Sequence, residues 1–148
     1  MNIKSSEFND YYLLPDSCGF NKGNRPPSLQ ITDVPPNATS LALYVFDSDV
    51  IYGEKELTHW LLWNIPVDIG EFSSDNLPAQ VVQGTNDMGA VGYSGPMLAR
   101  EIHHIHFVVF ALDSTLDLDS SSTRESFDQA VTANFIDHAA IIGMYQTV

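Results

Sequence analysis

The sequence has a single cysteine and only six basic residues. One cysteine, Cys18, excludes an intrachain disulfide framework. Six Lys and Arg stand against 19 Asp and Glu, a net charge of −13. Nucleic acids and anionic lipid surfaces are gripped by lysine and arginine, so this balance argues against both as partners and speaks first for solubility. No apolar stretch approaches the ~20 residues that span a bilayer, so membrane insertion is not expected. The opening Met1-Asn-Ile-Lys-Ser-Ser-Glu-Phe8 lacks the apolar core of a secretory signal, and a soluble cytoplasmic protein is expected. Apolar residues make up 44% of the chain, ordinary for a globular protein, and charged ones 17%, which is low. A length of 148 residues suits one domain, 1–148.

What is present is concentrated in one stretch, Asn86 to Asp113. Its first half holds Gly89, Gly92, Gly95 and Pro96, with Gly84 just ahead, and reads as a shaped loop. Its second half, Ile102 to Leu112, is β-branched and aromatic and reads as a strand. His103, His104 and His106 sit where loop becomes strand, the kind of junction at which a rigid sheet holds binding groups.

Residues 8–30 carry Pro15, Gly19, Gly23, Pro26 and Pro27 and read as loop. Leu29-Gln-Ile31 is a short strand candidate. Ser40 to Phe46 and Thr58 to Ile65 are apolar runs suited to buried strands. The first ends on Asp47-Ser-Asp49, which composition alone makes turn formers, and a charged connector, Gly53-Glu-Lys-Glu56, follows. His59 alone reads as a core histidine with a satisfied hydrogen bond. Residues 68–85 read as loop, with a short strand at Gln80-Val-Val82. Ser122-Thr-Arg-Glu125 has capping-box spacing, and Phe127, Val131, Phe135 and His138 form one helical stripe, expected to be buried. Ile141 to Tyr145 closes the chain with a short strand. Strands with turn signals and one late amphipathic helix predict a mostly antiparallel sheet structure with the helix packed on it.

Four segments, in order, resemble the phosphatidylethanolamine-binding protein family, also called Raf kinase inhibitor-like proteins. They are Gly23-Asn-Arg-Pro-Pro-Ser-Leu29, Ser40-Leu-Ala-Leu-Tyr-Val-Phe-Asp-Ser-Asp49, His59-Trp-Leu-Leu-Trp-Asn-Ile-Pro66, and Gly92-Tyr-Ser-Gly-Pro96 with the following histidines and Phe110-Ala-Leu-Asp113. The short chain is similar to the bacterial and archaeal branch. The resemblance implies a two-sheet antiparallel β-sandwich with a C-terminal amphipathic helix. It also implies a small pocket that binds anions such as phosphate or phosphorylated head groups. Matched position by position, the pocket residues fall on Asp47, Asp49, His59, Gly95, Pro96 and His103. Asp47 and His59 thereby pass from turn former and core residue to pocket wall. This chain departs from the family pattern in three places. Asp47-Ser-Asp-Val-Ile51 lacks the motif's two prolines, His103-His104-Ile105 replaces a His-Arg-Tyr, and Met97 follows Gly-Pro.

The resulting expectation is a non-enzymatic binding or regulatory module without a cofactor. The loop N–H groups of its cleft, with the imidazoles of His59 and His103, donate to a small anion. Asp47 orients one histidine and favours its charged form, making the site cationic. The resemblance adds modulation of a kinase or protease and leaves a homodimer open. The alternative is a metal-dependent enzyme using His104 and His106, which share one strand face opposite His103. Acyl transfer by Ser94 or Ser48 has no support in spacing, since Gly92-Tyr-Ser-Gly95 is not a nucleophile elbow.

Overall fold

In a computed structural model, which describes residues 1–97 and 100–147, the apolar runs become the long strands of one sheet. The short strands are β1 (Asn2–Lys4), β2 (Tyr12–Leu13), β3 (Leu29–Thr32), β6 (Glu71–Phe72) and β7 (Val82–Gln83). The long ones are β4 (Ser40–Tyr52), β5 (Lys55–Ile65), β8 (His103–Leu112) and β9 (Phe135–Tyr145), with helix α1 at Arg124–Asn134. Six strands form one sheet in the order β2-β9-β8-β4-β5-β7, and three form a second, β1-β3-β6. Every pairing is antiparallel except β2 with β9. The fold is thus the expected mostly β sandwich with one helix late in the chain.

Alternation along the strands sorts side chains into two cores. On one face of the large sheet, Leu41, Leu43, Val45, Trp60, Leu62, Phe107 and Val109 meet Ile3, Leu29, Ile31 and Phe72 of the small sheet. On the other, Ala42, Tyr44, Leu61, Trp63 and Leu112 meet Phe127 and Val131 of α1. This double coverage is why β4 and β5 read as continuous apolar runs rather than alternating ones.

Several boundaries differ from expectation. The 8–30 segment contains the edge strand β2 and two short 3-10 turns, Asp16–Cys18 and Phe20–Lys22. Asp47 and Asp49 do not make a turn. They lie inside β4, which runs on to a hairpin at Gly53-Glu54, where Gly53 takes φ +69°. The strand placed at Gln80–Val82 lies at Val82–Gln83, because Leu62 and Trp63 of β5 pair with those two residues. The capping box is absent: the helix cap is Thr123, one residue later than that motif requires, and it makes no side-chain cap bond. The helix also stops early. Phe135 and His138 belong to β9 and are exposed, so the predicted stripe is cut after Val131. Ten residue pairs between β8 and β9 hold Phe135–Tyr145 extended, and this non-local ladder overrides a weak local helical pattern. The final strand accordingly begins at Phe135 rather than Ile141. No helix among the described residues is long and apolar enough to cross a membrane.

Candidate functional site

Two irregularities of register build the site. Opposite β4, Val45 pairs with Trp60 and Phe46 with Thr58, so His59 has no partner of its own. An extra residue of this kind re-aims a side chain and is common beside functional sites. Strict alternation would send His59 to the helix-covered face with Leu61. The bulge turns it instead to the face that carries Asp47 and His103. Farther along, Asp47 pairs with Leu57 and Ile51 with Glu56, leaving Ser48, Asp49 and Val50 without counterparts on β5. That wider bulge sends Val50 to the pocket side and Ser48 and Asp49 to the opposite side.

A cleft of about 360 Å3 opens at this end of the sheet. Asp47, His59, Asp87 and His103 supply its titratable groups, and Gly95 and Pro96 form part of its wall. Val50, Tyr52, Leu57, Met88 and Met97 make the remainder largely apolar. No lysine or arginine lines it among the described residues. Five of the six residues taken from the sequence pattern therefore meet in one place: Asp47, His59, Gly95, Pro96 and His103. Asp49 does not. Its carboxylate accepts from the backbone N–H of His104 at 2.7 Å and pairs with that ring's Nδ1 at 2.8 Å, on the outer face.

Asp47 is 2% exposed, and its Oδ2 accepts from His103 Nδ1 at 2.6 Å, 56 positions away in the chain. Its Oδ1 accepts from the Asp49 backbone N–H at 2.8 Å. His103 is thus held through Nδ1 in the wall of the cleft. His59 is held through the same atom: its Nδ1 lies 2.6 Å from the carbonyl oxygen of Ser94. A carbonyl only accepts, so Nδ1 carries the hydrogen and Nε2 of the neutral ring is a bare acceptor. Among the described residues that Nε2 is the one buried side-chain polar atom without a hydrogen-bond partner. Burial pushes the His59 pKa below its ordinary value, although the Ser94 hydrogen bond and the charges of Asp47 and Asp87 oppose this. His59 therefore differs from the ring that Asp47 holds: its desolvation outweighs its carboxylate neighbours and favours the neutral form.

The expected donation by the loop also needs correction. The N–H of Gly95 is used by Asn24 Oδ1 at 2.7 Å, that of Ser94 by the His59 carbonyl at 3.1 Å, and that of Gly92 by the Gly84 carbonyl at 3.1 Å. These loop amides hold the loop in place and do not face a ligand.

The residue that organises the loop was not singled out by the sequence reading. Asn86 is 3% exposed. Its side-chain oxygen accepts from Met88 and Ala90 at 3.0 and 3.1 Å. Its amide donates to the Gly92 carbonyl at 3.0 Å and to Ser94 Oγ at 2.9 Å. The available signal was an asparagine opening a glycine-rich turn, where its side chain closes an Asx-type loop. Next to it, Asp87 accepts from the Thr58 N–H at 2.7 Å, tying the loop to β5 beside the bulge. Asn86→Ala should therefore cost at least about 1–3 kcal/mol, the penalty for buried groups left unsatisfied. A thermal unfolding midpoint equal to wild type would show that water takes over its bonds without loss.

On the outer face, His104 is paired with Asp49, and His106 Nε2 lies 2.9 Å from Ser48 Oγ with its ring stacked on Phe46 at 4.6 Å. Partial burial opposes ionisation of Asp49, yet the hydrogen bonds from His104 hold its carboxyl below the ordinary range. Burial, then His104, depresses the His106 pKa. No group of three or more His, Cys, Asp or Glu placed to hold a metal occurs among the described residues. His104 and His106 share a face as the alternative required, but each is engaged separately and no third ligand joins them.

Comparison with known proteins agrees with this architecture. The model of the family described as phosphatidylethanolamine-binding protein matches residues 4–146. A UPF0098 protein of Methanothermobacter thermautotrophicus is 35% identical over 151 residues, covering 99% of each chain. YbcL of Escherichia coli, also a UPF0098 protein, is 35% identical over 138 residues, or 86% of this chain and 75% of its own. The crystal structure of YbcL, described as a new member of the mammalian family, superposes with a TM-score of 0.90 at 30% identity over 99% of this chain and 98% of that one. A homologue from Chlamydia trachomatis gives a TM-score of 0.91 at 26% identity over 99% and 97% of the two chains. With the family pattern running almost end to end and the same two-sheet fold in these relatives, the chain belongs to the phosphatidylethanolamine-binding protein family.

Proposed function

We propose that this protein is a non-enzymatic binding module that takes a small phosphate-like anion, free or as a phosphorylated head group, into the cleft between His59 and His103. The observation that carries the reading is the buried, unpartnered Nε2 of His59 beside a histidine that Asp47 orients toward the same cleft. An orphaned buried acceptor in a small pocket calls for a ligand that brings a donor, and a phosphate that keeps one O–H supplies it. The cleft offers no fixed positive charge, and Asp47 and Asp87 both face it. A bare dianion would meet repulsion there. Once His103 carries a second proton, with Asp47 as counter-ion, its Nε2–H becomes a charged donor for an anion oxygen. Because that donor exists only on a protonated imidazole, affinity should rise as pH falls.

The check is a titration of phosphate into isotopically labelled protein between about pH 8 and about pH 6, spanning the histidine range. Shifts should cluster at Asp47, His59, Gly95 and His103, grow tighter toward low pH, and vanish in His103→Ala. Shifts confined to His104 and His106 would move the site to the outer face, and binding without pH dependence would remove His103 from its role. Modulation of a kinase or protease in the cytoplasm, which the family suggests, would be exerted through the occupied cleft. Capture of such a partner that is indifferent both to phosphate and to His103→Ala would separate the two activities.

A further inference from the structure

We infer that Ser48 is an acylation site: its hydroxyl, with His106 as general base, takes one acyl group from a neutral activated ester or thioester. The site lies on the outer face of the large sheet and stands apart from the anion reading, which uses the opposite face. Two features carry it. The first is a hydroxyl and an imidazole in the geometry of a nucleophile and its base. Ser48 Oγ lies 2.9 Å from His106 Nε2, 58 positions away in the chain. With its hydrogen on Nδ1, the neutral ring accepts the Ser48 O–H at Nε2, the arrangement that activates a serine. The ring is fixed by its neighbours. It stacks on Phe46 at 4.6 Å, Phe46 stacks on Tyr44 at 4.7 Å, and the Arg124 guanidinium lies over Tyr44 at 4.8 Å. The serine is presented outward. Pairing of β4 with β8 ends at Asp47, and Ser48 has no counterpart on β5, so among the described residues it stands exposed on a bulge.

The second feature is the electrostatic setting. The groups that act on His106 are His104 on its own strand, Asp47 and Asp49 on β4, and Glu56 on β5. Burial, then His104, outweighs those carboxylates and holds the ring below its ordinary pKa, so it is a free base at neutral pH. Arg124 is already engaged by Glu56 at 3.0 Å and by Asp128 at 3.1 Å. An anionic donor such as an acyl phosphate therefore meets carboxylates with no free cation beside them, whereas an uncharged ester or thioester does not. In the reaction, Ser48 Oγ bonds to the acyl carbon while its proton passes to His106 Nε2. The C–O or C–S bond to the leaving group breaks, and the departing alkoxide or thiolate takes that proton from the imidazolium. Ser48 ends as an ester and the ring returns to neutral. The amide of Asp49 is spent on Asp47 and that of His104 on Asp49, so neither is free to hold an oxyanion. The donor must then bring its own good leaving group, and the unactivated serine ester persists as a modification.

The test treats the intact protein with p-nitrophenyl acetate, following released p-nitrophenolate and mapping the acetyl group by peptide mass spectrometry. One acetyl group per chain should appear on Ser48. Its rate should rise with pH through one step lying below the ordinary histidine value of about 6.5 and then level off, because only the free base of His106 can take the proton. His106→Gln should slow labelling of Ser48 by about a hundredfold or more, the scale of general-base catalysis, with an unchanged unfolding midpoint. The half ester p-nitrophenyl succinate has the same leaving group but a negative charge, and should label Ser48 more slowly. Acetyl groups found on lysines or on the imidazoles, with Ser48 bare, would overturn the site. Labelling of Ser48 at the wild-type rate in His106→Gln, or a wild-type rate that climbs with hydroxide and never levels, would overturn the role of His106. Equal rates for the two esters would overturn the preference for a neutral donor.

Discussion

Phe127→Ala should lose about 3–5 kcal/mol of stability, the range for truncating a buried phenylalanine. Phe127 is 1% exposed and stands at the centre of the second core, with ring centroids 6.1 Å from Tyr44, 6.1 Å from Trp63 and 6.3 Å from Phe110. Only Val131 joins it among the helix's buried residues, so removing one ring removes much of what holds α1 on the sheet. The neighbours belong to long, paired strands and cannot collapse onto the gap, which makes the cavity cost persist. Phe135→Ala is the control. That ring is 48% exposed and should cost less than about 1 kcal/mol, as surface truncations do. Urea midpoints of the two variants measured side by side decide the matter. Equal midpoints would show that the helix and not β9 carries Phe135.

The contrast between these two phenylalanines shows where sequence pattern stops being informative. Phe127, Val131, Phe135 and His138 fall at helical spacing, but nothing local marks Asn134 as the end. What ends the helix is the ladder of β9 on β8, a pairing that joins Phe135 to Leu112 and Tyr145 to His103. Long-range pairing leaves no local trace when both halves are apolar. The long central strands were legible for the opposite reason. Ser40–Phe46 and Thr58–Ile65 are buried on both faces, so their composition alone excludes a surface helix or loop.

The grouping of five residues in one cleft was legible in the sequence, and the chemistry around them was not. Asp47, His59, Gly95, Pro96 and His103 came from the family pattern, and they share one cleft. Asp49 was misplaced because the unmatched Ser48-Asp49-Val50 segment of β4 turns its carboxylate to the other face. Bulges depend on register between two strands, which neither strand encodes alone. The donors were misassigned for a similar reason. A glycine-rich loop can aim its N–H groups at a ligand, but here Asn24, an otherwise ordinary residue far away in the chain, takes the one on Gly95. That bond also explains why the loop cannot be altered cheaply.

Gly95→Ala should both destabilise the protein and abolish phosphate binding. A Cβ at this position would overlap the carbonyl oxygen of Cys18 and lie 3.0 Å from the backbone N of Phe20. Both are main-chain atoms, so no rotamer change relieves the overlap. The Cys18–Asn24 segment cannot simply lift away. Phe20 N–H donates to the Pro96 carbonyl at 2.9 Å, Tyr93 Oη–H donates to the Cys18 carbonyl at 2.6 Å, and Asn24 receives the Gly95 N–H. Relief must come from the ligand loop, at an overpacking cost of about 1–3 kcal/mol or more. Ser94 is the adjacent residue, and its carbonyl fixes the tautomer and direction of the His59 ring. Displacing it by even a fraction of an ångström lengthens a 2.6 Å bond and lets the His59 ring turn from its place in the cleft wall. Phosphate shifts at His59 and His103 should then disappear while the far end of the sheet keeps its wild-type spectrum. Retention of phosphate binding in a folded Gly95→Ala protein would show that the loop does not set the His59 geometry. An unchanged unfolding midpoint would show that the Cys18–Asn24 segment is not fixed against it.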